Sequence, residues 1–300
     1  MSISNYLSIQ NCQRVLTVFL GAVLFACSES DTRDSKYPLR EDRFDPPEVQ
    51  ATITDDNLLE VSGIEASKAN RGHYWVHNDS GDKARILLLS RDGAIKAEVS
   101  LEGVVATDWE EITMTADSSL IIGDIGDNRG ERPYVTLYKI KEPKIDSADR
   151  LTISKDEIDS MQITYAEGSR DAETLFYDFN SDSLVLITKR EEEVMVYQFL
   201  FRNGTAIEIA SKGTLPFRNL TSGDMNAYSE IILKNYDNIF YFLPAKYAID
   251  KLLSEPDYRI PYSPEPQGEA ITWSDDGRDL ILLSEKKENA PQELLEIKRK

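Results

Sequence analysis

Cysteine is nearly missing from this chain: there are two, Cys12 and Cys27, both within the first thirty residues. Everything beyond them therefore lacks a disulfide framework and a thiolate metal site. Histidine is equally scarce, and His73 and His77 alone cannot assemble a three-histidine zinc site. Basic charge is also short, with 34 Lys and Arg against 53 Asp and Glu, a formal net charge of −19. So acidic a surface repels phosphate backbones, which argues against nucleic acid as a partner. No Gly-x-Ser-x-Gly elbow and no glycine-rich phosphate loop is present, so serine-hydrolase and nucleotide-binding chemistry have no support.

The one apolar run of any length lies at the start. Residues 1–26 read as a secretory signal peptide, with Arg14 closing a polar opening and Val15–Ala26 too short to span a bilayer as a mature helix. Leu24-Phe25-Ala26-Cys27 resembles the bacterial lipobox, in which the cysteine is acylated. Lipidation at Cys27 would anchor the chain to a membrane without crossing it. An ordinary signal peptide with an incidental cysteine is the competing reading. Ser28 is not the aspartate associated with inner-membrane retention, so the expectation is a bacterial extracytoplasmic protein anchored at the outer membrane. Residues 27–47 are charged, lack apolar periodicity and end in Pro46-Pro47, as a solvated tether would. Residues 48–300 are left as one domain.

That domain repeats a short phrase. Ser62-Gly63-Ile64-Glu65, Thr107-Asp108-Trp109-Glu110, Arg170-Asp171-Ala172-Glu173, Thr221-Ser222-Gly223-Asp224 and Pro266-Gln267-Gly268-Glu269 each end in a carboxylate. The carboxylates are 45, 63, 51 and 45 residues apart, about the length of a four-stranded propeller blade. Strand-like runs with turn punctuation fill each interval. Ala206–Gly213 reads as the fourth strand of the third block, Pro244–Pro266 as irregular with a short helix at Tyr247–Ser254. A polar insertion in the second block explains the longest step. The last block is one strand short, and Glu48–Ile53 has no block of its own. The fold expected is all-β, a five-bladed β-propeller closed by the N-terminal strand, since closure removes two exposed sheet edges. Six blades are the alternative if the insertion hides another.

In such a ring Glu65, Glu110, Glu173, Asp224 and Glu269 would crowd one axis. Two carboxylates about 6 Å apart at an effective dielectric near 20 repel by about 3 kcal/mol. They must therefore be protonated, paired or bound to a cation, and all-oxygen ligands suit calcium. The ends of the second strands supply a surrounding circle of His77, Asp79, Asp124, Asp127, Lys189, Arg190, Lys234 and Lys286, a mixed set able to hold an anionic ligand such as a phosphate group. Asp79-Ser80-Gly81-Asp82 and Asp124-Ile125-Gly126-Asp127 repeat an Asp-x-Gly-Asp pattern that resembles a calcium loop. The plain readings stand beside these: a ring of structural acids accepting backbone N–H bonds between blades, solvated acidic turns, a hydrogen-bonded histidine at 77, and Trp75, Trp109 and Trp273 as wedges between blades.

Ser62–Glu65 with Tyr74–Gly81, Asp108-Trp109-Glu110-Glu111, Gly123–Asn128 and Gly268-Glu269-Ala270-Ile271 resemble segments of bacterial secreted β-propeller lipoproteins of unassigned function. More distantly, the acidic inner-strand motif is similar to that of β-propeller phytases, phytase-like esterases and calcium-activated nucleotidases. The resemblance implies a propeller, calcium held by channel carboxylates and phosphate held by basic neighbours. The phytases' own long signature motifs are absent, so their activity does not carry over. The resulting expectation is a monomeric, lipid-anchored propeller that binds calcium at one face of its channel and, if it is an enzyme, hydrolyses a phosphoester. Its ligand would be a small phosphorylated molecule. The alternative is a non-catalytic cell-surface binding or scaffold module that engages a protein partner.

Overall fold

The computed structural model describes residues 34–146 and 150–300. Cys27 and the signal segment lie outside the described residues. Among the described residues no helix is long and apolar enough to cross a membrane.

Strand β1 (Glu48–Ile53) comes first in the chain and is used last. Blade I is β2 (Val61–Ala66), β3 (His73–Asn78), β4 (Arg85–Ser90) and β5 (Ile95–Leu101). Blade II opens with β6 (Trp109–Met114), β7 (Ser119–Asp124) and β8 (Val135–Lys141). The chain then turns back, and β9 (Arg150–Ile153) pairs in parallel with β5 before β10 (Asp159–Tyr165) completes blade II. The polar insertion is thus a fifth strand on blade I, which closes the six-blade alternative. Blade III contains β11 (Ala172–Asp178), β12 (Ser183–Thr188) and β13 (Val194–Phe199). Strand β14 (Thr205–Ile209) reaches back to pair in parallel with β10, and the short β15 (Gly213–Leu215) becomes the outer strand of blade III. The single strand expected over Ala206–Gly213 is therefore split between two blades. Blade IV has β16 (Leu220–Met225), β17 (Ile231–Asn235) and β18 (Ile239–Phe242), then helix α1 (Ala248–Leu252) and β19 (Tyr258–Ile260). Blade V is β20 (Gly268–Trp273), β21 (Leu280–Ser284) and β22 (Gln292–Ile297), with β1 antiparallel to β22 as its fourth strand. The five-bladed, N-terminally closed propeller is the fold.

Buried apolar residues from facing sheets fill the wedges between blades. Trp75 and Trp109 pack between blades I and II, Trp273 between IV and V. The described part of the expected tether is not solvated. Tyr37 is buried against Phe217 and Phe240, and Phe44 sits 1% exposed beside Tyr241 with the Arg299 guanidinium 5.2 Å from its ring. Two isolated bridges, Leu39 to Arg259 and Phe44 to Arg299, tie this strap to blades IV and V. Two aromatic anchors outweigh the charged residues between them, which a composition average conceals.

Strands β2, β6, β11, β16 and β20 line the channel, each beside the next around the ring. All five carry the same irregularity. Pairing with the second strand skips one residue, and the skipped residues are Ser62, Glu110, Glu173, Thr221 and Glu269. Such a bulge sets two residues against one and re-aims the extra side chain. Successive bulges are 48, 63, 48 and 48 residues apart, more regular than the steps between the carboxylates. The Ser62 and Thr221 hydroxyls donate to the carbonyls of Glu110 and Glu269, the bulge residues of the next blades, at 2.9 and 3.2 Å.

Candidate metal centre

The bulges overturn the single ring of five acids. Glu110, Glu173 and Glu269 are bulge residues, but Glu65 and Asp224 come three residues after the bulges of their strands. Three residues of extended chain cover about 10 Å, so these two lie toward the opposite mouth of the channel. There they join neighbouring blades. Glu65 accepts the Met114 N–H at 2.9 Å, and Asp224 accepts the Trp273 N–H and the Thr272 hydroxyl, each at 2.9 Å. These two carboxylates serve as blade-to-blade acceptors, as the plain reading had it, and take no part in a shared centre with the other three.

At the bulge mouth a second circle exists, with different members from those expected. The first residue to hydrogen-bond beyond each bulge is Asp79 (to Glu60 O, 2.7 Å), Gly126 (to Asp108 O, 3.1 Å), Lys189 (to Asp171 O, 3.0 Å) and Glu285 (to Gln267 O, 3.1 Å). Tyr236, next after the last residue of β17, is the fifth. Asp79 therefore stands where Gly126 stands, one blade on, and the two Asp-x-Gly-Asp runs are not equivalent loops. The absence of a side chain at Gly126 is what makes room: a Cβ there would lie 2.3 Å from Glu110 Oε1 and 2.6 Å from Asp108 Oδ2.

Glu110 and Asp108 occupy that space, and three more carboxylates group with them. Oxygen atoms of Asp79, Asp108 and Glu110 lie within 4.8 Å of one another, as do those of Glu110, Asp171 and Glu173. Glu110 belongs to both groups. Asp171, Glu110 and Glu173 are buried, whereas Asp79 and Asp108 are half-buried and face the solvent side. Asp108 and Asp171 were not anticipated. Their signal was present as Asp-x-Glu in two of the five phrases, the acid two residues before the bulge glutamate.

The electrostatics follow from crowding. Burial, reinforced by the Glu173, Asp79 and Asp108 charges, holds the Glu110 carboxyl well above its ordinary range. Burial and the neighbouring Asp108 and Glu269 carboxylates push Asp79 up to about 7. Glu173 is pushed up to about 8 by burial, with Glu269 and Asp171 adding to it and Lys189 opposing. Burial opposes the charge of the Lys189 ammonium, but Glu173 and Glu269 outweigh it and raise the pKa above the ordinary lysine value. Lys189 Nζ contacts Glu173 Oε1, lies 3.7 Å from Glu269 Oε1, and meets Tyr236 OH at 3.1 Å. Tyr236 OH in turn donates to Glu269 at 2.5 Å. Glu269 is thus occupied by Tyr236 and Lys189 and stands apart from the two carboxylate triads.

Most of the expected anion-binding set falls away. His77 is buried, its Nδ1 3.0 Å from Asn78 O, and burial lowers its pKa to about 4, so it is a neutral structural imidazole edge-on to Trp109. Asp124 accepts the Thr107 and Asp108 N–H groups at 3.1 Å and pairs with Arg132 at 2.7 Å. Asp127 accepts the Glu131 and Arg132 N–H groups at 2.9 Å. Both acids brace the loop behind the site. Lys234 is fully buried, donates to Gly268 O, and burial lowers its pKa to about 8. Lys286 pairs with Asp56 at the surface, 2.6 Å away. Only Asp79, Lys189 and Arg190 stay at the mouth, and Arg190 is bonded to Asp171 and Asn128.

The residues fit a cation. Glu173 Oε2 is buried and has no hydrogen-bond partner, a costly arrangement once the carboxyl is ionised unless something positive meets it. The donors are all oxygen, which suits calcium or magnesium over zinc or copper.

No protein-family model matches the chain, and no curated protein is similar to it in sequence. Among solved structures it is similar to the gluconolactonase XC5397 of Xanthomonas campestris, at 11% identity and a TM-score of 0.47, over 86% of this chain and 95% of that one. It is also similar to the WD40 repeats of RRP9, at 10% identity and a TM-score of 0.43, over 84% of this chain and 100% of that one. The propeller assignment rests on the sheet order above and borrows nothing from these likenesses; the reaction, if any, is read from the site.

Proposed function

We propose that this chain is a propeller that binds a divalent cation, calcium by donor chemistry, at the mouth formed by Asp79, Asp108, Glu110, Asp171 and Glu173. The observation that carries the reading is the unpartnered, buried Oε2 of Glu173, a residue whose carboxylate groups with those of Glu110 and Asp171 within 4.8 Å. An ion there would neutralise the crowded acids and offer positive charge to an anionic ligand. Asp79 and Asp108 leave the outward side open to solvent. Lys189 and Arg190 are the cations at hand for a phosphoester or another small phosphorylated ligand. Both are already paired with acids of the site, an observation that favours a binding module over a phosphoester hydrolase. The lipid anchor at Cys27 and an outer-membrane location belong to the same proposal and are supported by the lipobox-like sequence.

Calcium titration followed by melting temperature tests the metal reading, because a ligand of the native state raises stability by mass action. A rise that chelator reverses is expected, and a melt indifferent to calcium at millimolar levels overturns it. Calcium-dependent cleavage in a phosphoester panel would establish the hydrolase, and binding without cleavage the module. Labelled palmitate incorporated by the wild type and lost in Cys27→Ser would establish the anchor.

A further inference from the structure

The opposite mouth of the channel holds a cavity of about 280 Å³ to which all five blades contribute. Its floor carries two buried carboxyls, Glu65 and Asp224, both held above the ordinary range by burial. Two more acids, Asp275 and Asp276, line it against the ammonium of Lys68, which lies 5.2 Å from the Phe179 ring centroid and donates to Thr115 O at 3.1 Å. Phe179, Tyr228 and Trp273 supply aromatic walls. Asp224 is fully used, accepting Met225 N–H at 2.7 Å besides its two bonds to blade V. Glu65 spends Oε2 on the Met114 N–H. Glu111, which crosses the channel to Ser222, separates this cavity from the carboxylate centre at the other end.

Tyr228 is 63% exposed at the rim, yet its turn is rigidly built. The Asn226 side chain accepts the N–H groups of Tyr228 and Glu230, each at 3.0 Å, and donates to Gly277 O at 2.8 Å. Ser229 is held at φ 66°, a conformation a side-chain-bearing residue takes only when its surroundings impose it. An exposed aromatic ring at the rim of a cavity lined by four acids and one ammonium provides a face for a cation and carboxyl oxygens below it.

We propose that this cavity is a binding site for a small organic ammonium ion, its apolar body between the aromatic walls and its charge toward Glu65. The site is independent of the cation centre and needs no metal.

Benzylammonium is the probe, with benzyl alcohol as its neutral counterpart of the same shape and methyl glucoside as a polar neutral one, followed by calorimetry in chelator-treated buffer. Saturable binding of benzylammonium is expected, with both neutral probes about tenfold weaker or worse. Tyr228→Ala, a change at an exposed position that leaves folding intact, and Glu65→Gln, which keeps an acceptor for Met114, should each weaken benzylammonium about tenfold. Failure of the wild type to bind at millimolar probe overturns the proposal. So does equal binding of benzyl alcohol, preferred binding of the glucoside, or indifference to Tyr228→Ala.

Discussion

Glu111 of β6 accepts the Ser222 hydroxyl of β16 at 2.5 Å across the channel, joining blades II and IV, which are not neighbours in the ring. Burial holds its carboxyl well above the ordinary range, although Ser222 and the Ile112 N–H pull the other way. The contact crosses the channel between the carboxylate centre at one mouth and the cavity at the other. Glu111→Ala takes away the short partner of the Ser222 hydroxyl, leaving only the 3.4 Å contacts to Ile271, and opens a void, at a cost of about 1–3 kcal/mol. Glu111→Gln retains an acceptor and should cost less. Chemical denaturation of both variants measures the difference.

Position along the channel decides which acids matter for metal. Glu173→Gln should weaken calcium binding about tenfold or more, because an amide oxygen replaces a buried anionic ligand. Glu65→Gln should leave calcium affinity unchanged, its side chain being at the other mouth. Calorimetric titration of the two variants checks this, and equal losses would restore the single five-acid ring.

Gly126→Ala is a test that removes no charge. Its Cβ would overlap Glu110 Oε1 and Asp108 Oδ2, so the carboxylates must move out of the cradle. Loss of the calcium-induced rise in melting temperature is expected, with the far-ultraviolet circular dichroism of the metal-free protein unchanged.

Stability without metal should fall as pH rises. In the unfolded chain these carboxyls titrate at about 4, whereas folding raises Asp79 to about 7 and Glu173 to about 8. The folded form therefore holds more protons between those limits. Its advantage is complete below the ordinary carboxyl range and is lost as pH climbs through 7 and 8. Calcium competes with the same protons, so its affinity should increase over that interval and flatten the decline. Melting temperatures from pH 5 to 9, with chelator and with calcium, check both slopes.

Phe44→Ala should destabilise the domain by about 3–5 kcal/mol, the cost of an emptied aromatic site. A solvated tether would make the same change neutral. Equilibrium unfolding distinguishes the two.

The blade count and the closing strand were legible because alternating runs and turn residues are local signals. The site was only half legible. Ser62 and Thr221 occupy the bulge in blades I and IV without a carboxylate, so the nearest acid, Glu65 or Asp224, comes three residues too late. Strands β2, β6, β11, β16 and β20 are buried on both faces, so they carry no hydrophobic alternation in which the one-residue phase shift of a bulge would show. The regular 48-residue step through two hydroxyl residues was the available cue. Likewise Thr205–Ile209 reads as a strand, but its choice of blade II over blade III is a matter of which exposed edge β10 offers. Lys234 and Lys286 looked equivalent to Lys189, and only packing turns one inward to a carbonyl and the other out to Asp56.

The sheet of blade V draws one strand from residues 48–53 and three from 268–297. During synthesis the earliest strand must wait without its one strand partner while the other four blades emerge from the ribosome. Circularity is then achieved in a single late event, and any truncation that removes Gln292–Ile297 leaves an open arc with two sticky ends that can join another molecule instead of itself.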